Sequence, residues 1–446
     1  MEFITIVALI PIGIVALIYL VRYPEVAFAL FLFSYIIEGG VILPWYLNLT
    51  LIMLAIAVLG FMVQLVAGKK NNFKFQLVDL WLLGFIIILF AGSYLVPNPE
   101  AGFIKALRFA TIVFFPYLLA RVFFNECAQI YRFLKTILVL AAIICIALIA
   151  ISIKQGITGR MAFFEANEIP TATLFAVGLV LTVIEAMMPS QRNWKLDRIL
   201  YVAIIPVFLY GIFLTGVRGP LIAAVVGLAL YFFIGFLKRI TPKFRVACIT
   251  ALILIIIGFY YLGDRLPNIE AYSLTTIREG LSTAERLEQY SLVRNLFSQS
   301  PLLGVGTNGF EQLTGWGYPH NIFMEVAVEN GLIGLIFFGT FLGIVGWYGF
   351  RFLAFYYRRL DMPKQKIGLI ILTISLVLLV GRQFSFGLDM HKDLFVFLAL
   401  IVNLPVIAKL DLSLKQNKVE KHHESYKKLY EKQCTIPNSI ICLQED

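Results

Sequence analysis

The chain has 446 residues, 60% of them hydrophobic and 14% charged, with a formal net charge of +10 and a mean hydropathy of +0.86. Soluble domains run at about 45–50% apolar and about 25% charged, so a string of soluble domains is excluded although the length would allow about three. Five cysteines (Cys127, Cys145, Cys248, Cys434 and Cys442) show no framework spacing, which excludes a secreted disulfide scaffold.

Apolar runs long enough for a ~30 Å hydrocarbon core recur from end to end. They predict membrane spans at 3–21, 25–37, 49–67, 77–95, 103–119, 133–153, 170–188, 199–214, 220–236, 246–262, 320–345, 367–381 and 394–408. The second is short and runs into Glu38-Gly39-Gly40, which marks it as a broken or re-entrant segment and leaves the count at twelve or thirteen. The first lacks a basic leader and a small-residue cleavage site, so no cleavable signal peptide is expected. The runs do not alternate as barrel strands would, and the expected fold is all-α: a polytopic transmembrane helical bundle. Residues 1–408 form that domain, and 409–446 read as a solvated, disordered tail.

The basic residues set the orientation. Loops 68–76, 120–135, 189–198, 237–246 and 347–366 carry 18 Lys/Arg against 3 Asp/Glu, whereas the alternate loops carry 9 against 12. The positive-inside rule makes the first set cytoplasmic, with the tail on the same side. The net charge is therefore mainly a topology signal, and no nucleic-acid partner is expected.

Everything chemically unusual falls on the other side. Lys105 and Arg108 lie three residues apart near the outer end of the 103–119 span, and Arg160 follows Gly159 in loop 154–169. Arg218 sits in the hairpin Leu214-Thr215-Gly216-Val217-Arg218-Gly219-Pro220. The longest connection, 263–319, is ordered: Ser282-Thr283-Ala284-Glu285 is a capping-box pattern, and Arg286 follows it. Leu287, Tyr290, Val293 and Phe297 then repeat at helical spacing up to Pro301, predicting an amphipathic helix along the membrane surface. The run Leu302-Leu303-Gly304-Val305-Gly306-Thr307-Asn308-Gly309-Phe310 reads either as a plain tight turn or as a segment that approaches substrate.

Tyr318-Pro319-His320-Asn321 opens the next span, with Pro319 suited to a first helical turn. The dipole there disfavours imidazolium, so His320 is expected neutral and able to accept a proton. An interfacial imidazole satisfied by water is the plainer reading. Asn321, Glu325 and Glu329 recur every four residues and share one helix face, which suggests a protein-facing polar seam with cationic partners or an interhelical salt bridge. Arg382 ends the 367–381 span. Six cations on one side (Lys105, Arg108, Arg160, Arg218, Arg286 and Arg382) suit a diphosphate, because guanidinium forks match phosphate oxygens. No P-loop, dinucleotide fingerprint or HExxH motif occurs, and His422-His423 in the tail lacks further ligands at metal spacing.

These residues resemble the bacterial O-antigen ligase and polymerase family. Pro319-His320-Asn321, Glu325 and Glu329-Asn330-Gly331-Leu332-Ile333-Gly334 are similar to its hallmark segment, and Ser300-Pro301-Leu302-Leu303-Gly304-Val305-Gly306 with Phe310 to the segment leading into it. Glu285-Arg286-Leu287 resembles the start of the family's periplasmic helix, and Leu214–Gly219 its Thr-Gly-Ser-Arg-Gly hairpin. Gly159-Arg160 with Asn167 resembles a third element. The chain departs from the pattern at Val217, Pro220 and Glu165-Ala166-Asn167.

The resemblance implies a multi-pass enzyme of the cytoplasmic membrane, with its site facing outward and no metal or nucleotide cofactor. Such an enzyme moves a glycan from a polyprenyl diphosphate carrier to a hydroxyl on a glycan, lipid or protein acceptor, as ligase or polymerase. On that reading His320 is the general base, Arg218 and Arg286 stabilise the departing diphosphate, and Asn321 or a glutamate orients the imidazole. Lys105, Arg108, Arg160, Arg382, Asn321, Glu325 and Glu329 complete the substrate-binding set. The alternative is a transporter or flippase that holds a lipid-linked anion during alternating access.

Overall fold

The computed structural model describes residues 2–38, 48–69, 73–156, 160–163, 167–188, 194–236 and 281–434. The span expected at 246–262 and residues 263–280 of the long connection lie outside these. The described residues contain helices and no strand. In chain order the helices are α1 Glu2–Arg22, α2 Pro24–Glu38, α3 Leu49–Val66, α4 Leu77–Gly92 and α5 Pro99–Arg108. A wide turn over Phe109–Phe114, where Pro116 takes one N–H out of the ladder, joins α5 to α6 Phe115–Phe123. There follow α7 Cys127–Gln155, α8 Glu168–Met187, α9 Trp194–Thr215, α10 Arg218–Phe236, α11 Leu281–Gln299 and the short α12 Gly309–Thr314. The last three are α13 Ile322–Arg351, α14 Met362–Gly381 and α15 Lys392–Cys434.

Nine helices among the described residues are long and apolar enough to cross a membrane, with Arg218–Ile234 a shorter apolar one. The molecule is thus an all-α polytopic bundle. The expected irregularity of the second span takes a definite form: Gly13–Arg22 and Pro24–Glu38 meet at 107°. Pro24 drives this, because a residue preceding proline is disfavoured in the helical region. Glu38 then caps the next helix, accepting from Leu49 N (3.1 Å) and Thr50 Oγ1 (3.2 Å).

The centre of the bundle is α8, 89% of whose span is buried, packed against α7, α9, α10 and α14. Around it lies a phenylalanine-rich core that includes Phe85, Phe109, Phe175, Phe338 and Phe341. At the end of the bundle bearing loops 68–76, 120–135 and 347–366, buried polar locks tie helices together. Asp79 accepts from Tyr117 (2.7 Å) and Arg121 Nε (3.2 Å), and Asn403 Nδ2 donates to the carbonyls of Ala120, Arg121 and Phe124 (3.1–3.2 Å). Lys366 joins α14 to α8 through Glu185 at 2.7 Å. Helix α15 continues through 409 as far as Cys434, where the composition had suggested an unstructured tail; that stretch is rich in Lys, Glu and Leu, all good helix formers.

Two expectations near the long connection are refined. Helix α11 buries Gln289 and Val293 and leaves Leu287 64% exposed. Its apolar contact is protein: Val293 joins Phe310 and Val328 in a second, small core. The glycine run is not a free-standing turn, although Leu302 and Leu303 at its start are exposed. It enters a break in α13 at Gly331 (φ 61°, ψ −159°), and its own N–H groups take the carbonyls that the break releases. Val305 N bonds Val328 O (2.8 Å), Gly306 N bonds Glu329 O (2.9 Å), and Leu332 N bonds Pro301 O (2.8 Å).

Only glycine fits this junction. A Cβ on Gly331 would stand 2.3 Å from Leu302 O, and one on Gly304 (φ 71°) would stand 2.4 Å from the Glu329 carbonyl carbon. Gly331→Ala is therefore expected to cost at least ~2 kcal/mol, from a glycine-only conformation and a backbone clash together. A melting temperature close to wild type for the purified Gly331→Ala protein would contradict this account.

Candidate active site

His320 lies just before α13, at the end of the bundle opposite the polar locks. Asn321 is the helix N-cap, its side chain accepting from Phe323 N (3.0 Å) and Met324 N (3.1 Å). The helix thus starts at Ile322, and Pro319 precedes it instead of forming its first turn. The Asn321 oxygen is thus used on its own helix, whereas Glu325 and Glu329 turn to Lys105. The constraint falls on the histidine backbone, which is left-handed at φ 53°. The half-buried imidazole stacks edge-on against Tyr318 at 4.6 Å, and its Nδ1 is enclosed without a hydrogen-bond partner. Burial, and next the positive charge of Arg286, push its pKa down to about 4. The ring is therefore neutral at physiological pH.

Behind the histidine, the two glutamates of α13 converge on Lys105 of α5. Lys105 Nζ is 2.9 Å from both oxygens of Glu329 and 2.6 Å from Glu325 Oε1, while Glu325 Oε2 accepts from Leu388 N at 2.9 Å. Glu325 and Glu329 are 1% exposed and Lys105 is 8% exposed. The three were expected to touch substrate; the structure uses them instead as an interhelical lock between α5, α13 and the 387–389 turn. Buried charges survive by pairing, and here each is paired inside the protein. Lys105→Met would strand two carboxylates, costing about 3–5 kcal/mol. The triple variant Lys105→Met/Glu325→Gln/Glu329→Gln should recover much of the lost folded yield on size-exclusion chromatography; no recovery would argue that Lys105 does more than hold this lock.

The arginines divide into two groups. Arg218 begins α10, and the adjoining Gly219 is packed so that a Cβ there would lie 3.0 Å from Phe384 Cβ. Arg286 Nη2 donates to the carbonyl of the same Phe384 at 3.3 Å. Arg160 covers Gly216, two residues before Arg218, with its Cγ 2.8 Å from where a Cβ would stand, and Met161 N bonds Leu214 O at 3.0 Å. Arg286 and the start of α10 thus meet at Phe384, His320 lies near Arg286, and Arg160 covers the hairpin glycine before Arg218. Arg108 lies further round, 56% exposed in its side chain and 3.9 Å from Asp389 Oδ2. Arg382 does not join them. It is 3% exposed, ion-paired with Asp393 and 3.3 Å from Ser385 Oγ, so its charge is neutralised within the fold.

The connection itself was missed in the sequence. Phe384 seats two arginine-bearing elements, Phe386 lies 6.2 Å from Tyr318, and Gly387-Leu388-Asp389 meets Glu325 and Arg108. His391 braces the turn with Nε2 3.1 Å from Phe386 O, and burial, then Arg382, holds its pKa well below the usual range. The signal available was the charged group His391-Lys392-Asp393 between two apolar runs, which span-finding treats only as a boundary.

Fold and site together define a multi-pass helical membrane protein with a histidine and several arginines collected at one end. Residues 202–339 match a family model described as O-antigen ligase. The match contains Arg218, Arg286 and His320, and over that stretch the chain is similar to O-antigen ligases. No curated protein matches the chain.

Proposed function

We propose that the chain transfers a glycan from a polyprenyl diphosphate carrier to a hydroxyl acceptor at the outer face of the cytoplasmic membrane, as ligase or polymerase. The observation that carries this reading is the setting of His320: a neutral, half-buried imidazole close enough to Arg286 for that charge to lower its pKa. An unprotonated imidazole accepts the proton of an acceptor hydroxyl. The acceptor oxygen attacks the anomeric carbon as the bond from that carbon to the diphosphate oxygen breaks, inverting its configuration. The electron pair leaves on the diphosphate, where Arg218 and Arg286 offset the developing charge. Arg160, beside Gly216, extends the cationic surface. Lys105, Glu325 and Glu329 hold the scaffold under the base, and neither a metal nor a nucleotide enters the scheme.

The test is release of polyprenyl diphosphate from a lipid-linked oligosaccharide by the purified protein, followed against pH. His320 in the free enzyme titrates near 4, below its ordinary 6.5. The neutral form is required, so kcat/KM should hold from pH 8 to about 5 and fall as pH drops through about 4. A bound diphosphate brings negative charge to the imidazole and raises its pKa, so kcat should begin to fall at a higher pH than kcat/KM. Arg286→Gln removes a charge that opposes imidazolium and should move the kcat/KM limb upward. It should stay below 6.5, since burial is the larger cause. An unmoved limb in Arg286→Gln would remove the coupling on which the reading rests.

A further inference from the structure

The end of the bundle remote from His320 carries a second cationic feature that the transfer reaction does not use. A cavity of about 520 Å³ opens between the segment before α4, the end of α6, the end of α13 and the middle of α15. Its wall includes Lys74, Arg121, Arg351, Lys409, Tyr348 and Tyr356. Arg121 is buried and spent on Asp79 and Asn403. The other three cations differ: among the described residues, Lys74, Arg351 and Lys409 pair with no carboxylate. Arg351 and Tyr356 also line an adjoining cleft of about 460 Å³ with Trp347, Phe355 and Arg359. Trp347 and Phe355 are more than half exposed, at 55% and 58%, and so continue the cleft onto an exposed apolar surface.

We infer that this paired cleft binds the headgroup of an anionic phospholipid, with the phosphate between Lys74, Arg351 and Lys409 and the acyl chains along Trp347 and Phe355. Charge complementarity selects the ligand. Three cations around one opening that pair with no carboxylate among the described residues attract a phosphate diester, and an arginine fork fits its oxygens. The aromatic rim selects the source. Tryptophan and tyrosine settle at the level of lipid headgroups, and exposed apolar rings leading away from the cations suit chains rather than water. The site stands independently of the transferase reading, because it shares no residue with it.

Native mass spectrometry of the full chain in detergent tests this, with phosphatidylglycerol and phosphatidylcholine as probes at equal concentration. Phosphatidylglycerol should remain bound when phosphatidylcholine is lost. Arg351→Gln/Lys409→Gln should lower its occupancy roughly tenfold or more, and Lys135→Gln/Arg198→Gln, which removes two basic residues elsewhere, should leave it unchanged. These are exposed or partly exposed positions, and an unaltered melting temperature shows that the fold persists. Equal retention of the two lipids, or equal phosphatidylglycerol binding by the two double variants, would overturn the proposal. Displacement of phosphatidylglycerol by millimolar inorganic phosphate would overturn the lipid as the source of the anion.

Discussion

His320→Asn is expected to lower kcat/KM for glycan transfer by about 10²–10⁴, the usual contribution of a general base, while leaving the melting temperature near that of wild type. Asparagine is the informative replacement because residue 320 is left-handed at φ 53°, a conformation asparagine tolerates well. It retains the backbone geometry and a polar side chain but cannot take up a proton near neutral pH. His320→Ala should lower kcat/KM by the same amount, but it adds strain of order 1 kcal/mol at the same position. The two variants separate chemistry from folding: equal activity loss with unequal stability is the outcome the proposed role requires. Near-wild-type release of polyprenyl diphosphate by His320→Asn would assign the proton to another group.

Arg218→Ala should reduce turnover by about 10²–10³, the scale associated with removing one donor from a developing negative charge. Arg218→Lys should restore little of this. A lysine supplies the charge but not the planar pair of donors that meets two phosphate oxygens at once, and its ammonium is more strongly hydrated. Substrate dependence adds a second reading. If the guanidinium acts mainly as the diphosphate departs, kcat falls and KM changes little; if it grips the donor equally before and during the reaction, KM rises instead. Wild-type kcat/KM in Arg218→Lys would show that charge alone suffices and would remove bidentate recognition from the scheme.

The spans were legible because burying or exposing a helix to lipid leaves the same mark, a run of about 20 apolar residues. The break between α1 and α2 was visible as a short second run, but its 107° bend depends on Pro24 and on packing, which hydropathy does not report. The polar seam was also legible: Glu325 and Glu329 at four-residue spacing announced a cationic partner, and Lys105 supplies it. What spacing could not show was that the partner is fully enclosed, which turns an expected anion site into a lock. Arg382 went the same way, since its pairing with Asp393 spans a turn that sequence reading treats as a simple boundary. The glycine run and Gly331 were both noticed, yet their relation was not. A loop that completes the hydrogen bonds of a broken helix joins residues 23 to 31 positions apart, and no local pattern encodes that contact.

The account turns on a covalent transfer that releases the carrier as its diphosphate. The direct measurement uses purified protein in sealed vesicles, supplied with a lipid-linked oligosaccharide and a hydroxyl acceptor, in the presence of a chelator and without nucleotide. The predicted result is one polyprenyl diphosphate released for each glycan joined to acceptor, with the anomeric configuration of the new linkage opposite to that in the donor. Movement of intact lipid-linked oligosaccharide across the vesicle membrane, with no diphosphate released and no new glycosidic bond, would contradict the account and assign the arginines to transport.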